Sequence, residues 1–265
     1  MQTHNAVDTP NALLLEEANL HNLKTLWHAY GSKLVHTQNG LTLWQNTGWP
    51  HRAWFNINEP HPSLNTTGNS NGELVAAIQQ LPKGTVLPLY PHLLYINPVA
   101  AALAKCTFNG PAFMQQAMVL ALENFKPNTK GYPRELSFKT VTTQPSLNAW
   151  CAVASAAFGY KVATANAQLL LKQPNALLVL AYKNSVPVAT ALVLLTGHTA
   201  GIHQVGVLPT QQGQGWAKAI MQFVLSYAVQ QKARHAVLQA SAAGEPLYKQ
   251  LGFNAQFLIK NAVLS

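Results

Sequence analysis

Val205-Gly-Val-Leu-Pro-Thr-Gln-Gln-Gly-Gln-Gly-Trp-Ala217 is the stretch on which the fold turns. It reads as the end of an apolar strand, a turn carrying two glycines, and the start of a helix. The first N–H groups of a helix have no internal acceptor, and the helix dipole adds positive potential there. Gly213 and Gly215 carry no Cβ, so an anion can approach the backbone closely. A pyrophosphate suits such a turn, but two familiar pyrophosphate sites are excluded. Gly213-x-Gly215 lacks the third glycine of a dinucleotide fingerprint, and no acid follows before Glu245. No Gly-Lys-Ser/Thr follows either, which removes the P-loop.

Working outward, 265 residues suffice for two domains, and a 48% apolar composition suffices for a sizeable core. Charged residues are only 9%, so Gln, Asn, Thr, Ser and His must supply most of the polar surface. The formal charge of +9 is uneven. From residue 133 onward, eight Lys and two Arg face only Glu135 and Glu245, a net of +8. That field favours an anionic ligand. The lysines are scattered singly, without a basic run, so nucleic acid is a weak rival. Cys106 and Cys151 form no Cys-x-x-Cys, and no His cluster has metal spacing, so no metal is expected. The polar N-terminus does not read as a signal peptide, and no apolar run approaches the ~20 residues of a membrane span. The expected location is cytoplasmic.

A helix is expected over 11–30, strands over 41–45 and 52–57, and a polar loop over 60–71. A helix over 73–81, a strand over 85–90, a helix over 98–105 and a strand over 114–122 follow. Lys126-Pro-Asn-Thr-Lys-Gly-Tyr-Pro133 reads as a linker, which divides the chain into an N-terminal α/β domain, 1–128, and a second domain, 133–265. In the second, strands are expected over 135–141, 176–182, 186–196, 199–207, 235–240 and 255–260. Helices are expected over 146–158 (Ser146 or Asn148 near the N-cap), 164–171, 215–232 and 245–251. The order β-α-α-β-β-β-α-β-α-β makes an α+β arrangement, a mixed sheet with flanking helices rather than a strictly alternating one.

These residues resemble the GNAT superfamily of N-acetyltransferases. Its signature, Gln/Arg-x-x-Gly-x-Gly/Ala after a strand, is matched by Gln212, Gly215 and Ala217, with Val207-Leu-Pro209 as lead-in. Tyr248-Lys-Gln-Leu-Gly-Phe253 is similar to the family's Tyr-x-x-Leu-Gly-Phe segment. The likeness covers roughly residues 133–260. It implies a mostly antiparallel GNAT sheet, acetyl-CoA as cofactor, and direct transfer of its acetyl group to an amine of a small molecule or peptide. By the same resemblance, backbone N–H groups of Gln212, Gly213, Gln214, Gly215, Trp216 and Ala217 would hold the pyrophosphate, with Lys218 beside them. Val205 and Val207 would pair with the pantetheine arm where strand 235–240 splays away. A backbone N–H near Val205 would stabilise the oxyanion, and Tyr248 would protonate the leaving thiolate.

The chain departs from the family pattern in three places. Gln212 and Gln214 stand where relatives often carry Arg or Lys. Trp216 is bulkier than the usual aliphatic residue. The strand Gly201-Ile-His-Gln-Val-Gly-Val207 has no carboxylate to serve as general base. His203 is its one titratable group, a candidate base with an ordinary pKa of ~6.5. A core histidine, an amine arriving neutral, or a water chain would each remove that need. A non-catalytic acyl-CoA-binding regulatory module is therefore the alternative reading. In the first half, Leu103-Ala-Lys-Cys-Thr-Phe-Asn-Gly110 followed by Met114–Leu122 is faintly similar to a Leu-Gly-Phe segment and its closing strand. The half is either a degenerate GNAT-like copy or an unrelated α/β cap. Trp49-Pro-His-Arg-Ala-Trp54 reads as core packing more than as a partner surface.

Overall fold

A computed structural model describes residues 9–57, 71–110, 112–127, 132 and 134–265. The first half runs α1 (Thr9–Ala29), β1 (Ser32–Gln38), β2 (Leu41–Asn46), β3 (Ala53–Ile57), α2 (Asn71–Gln79), β4 (Val86–Leu89), α3 (Pro91–Leu94), α4 (Asn97–Leu103) and β5 (Phe113–Ala121). The second runs β6 (Leu136–Thr140), α5 (Gln144–Phe158), α6 (Thr164–Leu170), β7 (Ala176–Lys183), β8 (Val186–Thr196) and β9 (Thr199–Val207). It ends with α7 (Trp216–Gln230), β10 (His235–Ala240), α8 (Glu245–Gln250) and β11 (Asn254–Val263). The expected loop at 60–71 and linker at 126–133 fall largely outside the described residues.

Backbone contacts group the chain into two units, neither contiguous in sequence. One comprises the chain up to Leu26 with Ala117–Gln256; the other comprises Trp27–Gln116 with Phe257–Ser265. This grouping cuts across the linear division at 128–133. The reason lies in long-range pairing: α1 and the second half of β5 pack with the later elements, while the C-terminal part of β11 pairs with β4.

In the first unit the strand order is β5-β10-β9-β8-β7-β6. The pairs β6/β7, β7/β8 and β8/β9 are antiparallel, and β9/β10 is parallel. β8 is apolar over nearly its whole length because α5 and α7 both pack on it. Ala189, Ala191 and Val193 of β8 and Ala200 and Ile202 of β9 share a core with Trp216, Ile220, Met221 and Val224 of α7. On α5, Leu147 and Trp150 are fully buried, and the Trp150 indole N–H donates to the Ala191 carbonyl at 3.2 Å. The N-cap of α5 is Thr143, with Ser146 near it as expected. Ser146 sits at N3 and closes a capping box with Thr143, since two short hydroxyl side chains satisfy the first backbone donors reciprocally.

The second unit holds the antiparallel sheet β1-β2-β3. β1 escapes the sequence reading because none of its residues is fully buried, so it lacks an apolar alternation. Arg52 bridges Val86 in parallel where β4 begins, and β4 pairs antiparallel with Lys260–Val263 of β11. Trp54, Phe55, Leu43, Leu74 and Ile78 form its core. Trp49 and Trp54 are both buried, so that aromatic stretch is packing. From α6 onward the second half runs helix, three antiparallel strands, helix, a strand parallel to the third, helix, strand. The first half follows the same order except that two short helices, α3 and α4, precede its last strand, and it has no counterpart of β6 and α5. Among the described residues no helix is long and apolar enough to cross a membrane.

Candidate active site

The site is assembled in the first unit at the end of β9. The parallel pairing of β9 with β10 extends only over Thr199–Gly201 against His235–Val237. From Ile202 onward the two strands are unpaired, which opens a backbone edge between them. β9 also carries a bulge. Thr190 faces Gly206 and Leu192 faces His203, so Gln204 and Val205 together oppose Ala191. Gln204 has φ 51°, and its carbonyl accepts a hydrogen bond from the Thr190 hydroxyl at 2.9 Å, which fixes the kink. A bulge takes a backbone group out of the ladder and re-aims it.

The strand then runs through a short 3-10 turn, Pro209–Gln211, into the glycines. Gly213 has φ 74° and Gly215 φ 84°, the left-handed region that a side chain disfavours. A Cβ built at either position would meet nothing within 4 Å, so the concave side of the turn is open. Gly215 is the N-cap of α7, and no side chain caps the helix. The first intrahelical bond runs from Ala219 N–H to the Gly215 carbonyl at 3.0 Å. The N–H groups of Trp216, Ala217 and Lys218 therefore precede the ladder. Gln212, Gly213, Gln214, Gly215 and Lys218 are exposed, whereas Trp216 is buried beneath them. A cation that the sequence reading did not single out lies beside Gln214. Lys183, at the end of β7, donates from Nζ to Gln214 Oε1 at 2.9 Å and lies 5.4 Å from the centre of the Trp216 ring.

Tyr248 lies on α8, which follows β10 after a four-residue turn, and packs on the same core as Val205, Val207 and Trp216. Its ring meets Phe253 edge-on at 6.0 Å. Burial pushes its hydroxyl up to about 12, so it is a protonated donor throughout the physiological range. The ordinary value near 10 assumed from sequence does not hold here.

His203 differs more from expectation. It is paired with Leu192, which puts its ring on the face of the sheet away from α7. There its Nε2–H donates to Asn22 Oδ1 at 2.9 Å. Asn22 in turn donates to the Leu194 carbonyl and to Thr196 Oγ1, each at 2.9 Å. One turn earlier on α1, Asn19 donates to Gln256 Oε1 and to the Met118 carbonyl, and accepts from Gln239 Nε2 at 2.7 Å. Desolvation lowers the His203 pKa to about 4, and a side-chain hydrogen bond to Gln239 opposes this only in part. A fully buried imidazole of that pKa is neutral at pH 7 and weakly basic. This weighs against a base poised near neutrality and for a structural polar contact. Gly201 makes the contact possible, because a Cβ there would overlap the Asn22 amide. The Asn19/Asn22 pair, spaced i,i+3 on one face of α1, was the sequence signal of this network.

A parallel strand pair that parts just ahead of an open glycine turn and an uncapped helix leaves a backbone edge and a set of helix N-terminal N–H groups free at one end of an α/β domain. Residues 147–253 match the acetyltransferase (GNAT) family, and this segment is a GNAT-family acetyltransferase domain. Among solved structures, a GCN5-related N-acetyltransferase from Kribbella flavida superposes with a TM-score of 0.60 at 17% identity, over 96% of this chain and 95% of that one. A GCN5-related N-acetyltransferase from Sphaerobacter thermophilus gives 0.61 at 16% identity, over 86% and 81%. A tandem GNAT protein from the clavulanic acid biosynthesis pathway gives 0.63 at 14% identity, over 88% and 82%. At such identities the likeness is one of fold. A search of curated proteins found no match.

Proposed function

We propose that this protein transfers an acetyl group from acetyl-CoA to an amine of a small molecule or peptide, by direct attack within a ternary complex. The observation that carries this reading is the parting of β9 from β10 beyond Gly201, immediately before the open turn. The unpaired edge of Val205 and Val207 suits an extended pantetheine arm. The turn from Gln212 to Ala217, with Lys218, suits its pyrophosphate. The bulge at Gln204 and Val205 releases a backbone N–H that can meet charge developing on the acetyl oxygen. Tyr248 gives a proton to the departing thiolate. The attacking amine reaches the site neutral, or loses its proton through water, since β9 offers no carboxylate and His203 is held as a neutral partner of Asn22. The two Glu after residue 133 are too few to hold a strongly cationic acceptor. The N-terminal half, 1–128, is on this reading a degenerate GNAT-like copy, and the chain acts in the cytoplasm without binding nucleic acid.

The lack of a carboxylate on β9 also favours one other reading, an acyl-CoA-binding regulatory module without turnover. An acetyl-CoA consumption screen across amine libraries, run beside calorimetry with acetyl-CoA, separates the two. Turnover with any amine supports transfer. Tight binding with no turnover across the panel favours the module. Absence of binding refutes both.

A further inference from the structure

We infer that Lys183 is the cation of the pyrophosphate cradle, brought to the turn from a neighbouring hairpin to replace the basic side chain that position 214 lacks. The inference rests on the acetyl-CoA reading of the site. Lys183 is the last residue of β7, paired with Val186 across the hairpin and with Leu136 of β6. Neither strand contributes to the turn, yet the ammonium reaches Gln214 Oε1 at 2.9 Å. It also lies over the Trp216 ring at 5.4 Å. Trp216 is itself buried, so the aromatic face beneath the lysine is a fixed one.

Two features distinguish this lysine from an ordinary surface charge. Its partners are a neutral amide and an aromatic ring, neither of which cancels its charge. The amide that holds it belongs to the residue between the two left-handed glycines. A phosphate oxygen arriving in the open turn would replace the neutral amide oxygen with an anionic acceptor, so the ammonium's hydrogen bond would gain the attraction of an opposite charge. The displaced Gln214 side chain then has an NH2 group to offer the same anion. The bulky Trp216, a departure from the family pattern, thereby acquires a purpose as the platform that sets the lysine's height.

The test is calorimetry on the full chain with three ligands: acetyl-CoA, 3′-dephospho-acetyl-CoA and S-acetylpantetheine. Lys183→Gln is expected to weaken the first two equally, by about tenfold, a loss of order one charge-assisted contact at a screened surface. S-Acetylpantetheine, which has no pyrophosphate, is expected to bind wild type and variant alike. Lys183→Arg restores affinity, and wild-type binding of acetyl-CoA falls more steeply with added salt than binding by Lys183→Gln. Unchanged acetyl-CoA affinity in Lys183→Gln overturns the inference while leaving the acetyl-CoA reading intact. So does a loss confined to the ligand with the 3′-phosphate, or an equal loss for all three ligands. Wild type that binds none of them refutes the acetyl-CoA reading itself.

Discussion

The neutral, buried state of His203 has a measurable consequence for stability. In the unfolded chain its pKa is ~6.5. In the folded protein it is lowered to about 4. The unfolded state therefore binds more protons between those values, and stability rises with pH across that window. The contribution is fully present above pH ~6.5 and is lost as pH falls through the folded value. Between pH ~7.5 and ~4.5 a single group with these two pKa values forfeits about 2.5 kcal/mol. His203→Gln removes the titration while keeping a polar side chain that can reach Asn22. The assay is urea unfolding of both proteins at the two pH values. Other titrating groups, including His235, whose pKa is also lowered by burial, are common to both and cancel in the difference. Wild type should lose about 2–3 kcal/mol more than the variant on acidification. Equal losses would refute the reasoning, because His203 would then titrate in the fold as it does in the open chain.

Three further outcomes are expected. Tyr248→Phe should lower turnover by about 100-fold or more while changing acetyl-CoA affinity by less than about twofold, and the wild-type rate should show no alkaline fall below pH ~10, given a hydroxyl pushed up to about 12; steady-state kinetics and calorimetry decide, and unchanged turnover removes the acid role. Gly215→Ala meets no neighbour, so its cost is backbone strain at φ 84°, about 1 kcal/mol in thermal stability, together with weaker acetyl-CoA binding; wild-type affinity in that variant would show that the turn is not the cradle. Gly201→Ala drives a methyl group into the Asn22 amide and the His203 ring, and should destabilise by about 3 kcal/mol, read by urea denaturation, with a smaller penalty in an Asn22→Ala background; additive losses would mean that the two sites do not touch.

The apolar run of β8, the breaks at Asn184-Ser185 and Gly197-His198, and the strand-glycine-helix passage at 205–217 were legible because each depends on neighbours within a few residues. The bounds of β10, His235–Ala240, were read from sequence as the structure has them. Where local signals were weak, the reading faltered. β1 has no buried alternation, and the start of α5 was read two residues late because Ser146, expected near the N-cap, is the inner member of the capping box.

From sequence alone came the class of domain and the donor side of the proposed chemistry. On the proposed reading Gln212, Gly213, Gly215 and Ala217 act through their own backbone, and backbone geometry in a turn is a local property. Tertiary structure alone decided three things: that the expected parting of β9 from β10 falls after Gly201, that His203 is locked to Asn22 across 181 residues, and that Lys183 reaches Gln214 across 31. It also decided that β5 and β11 are divided between the two compact units. Each of these depends on strand register and on burial in a shared core, and neither is encoded by the spacing of residues along the chain.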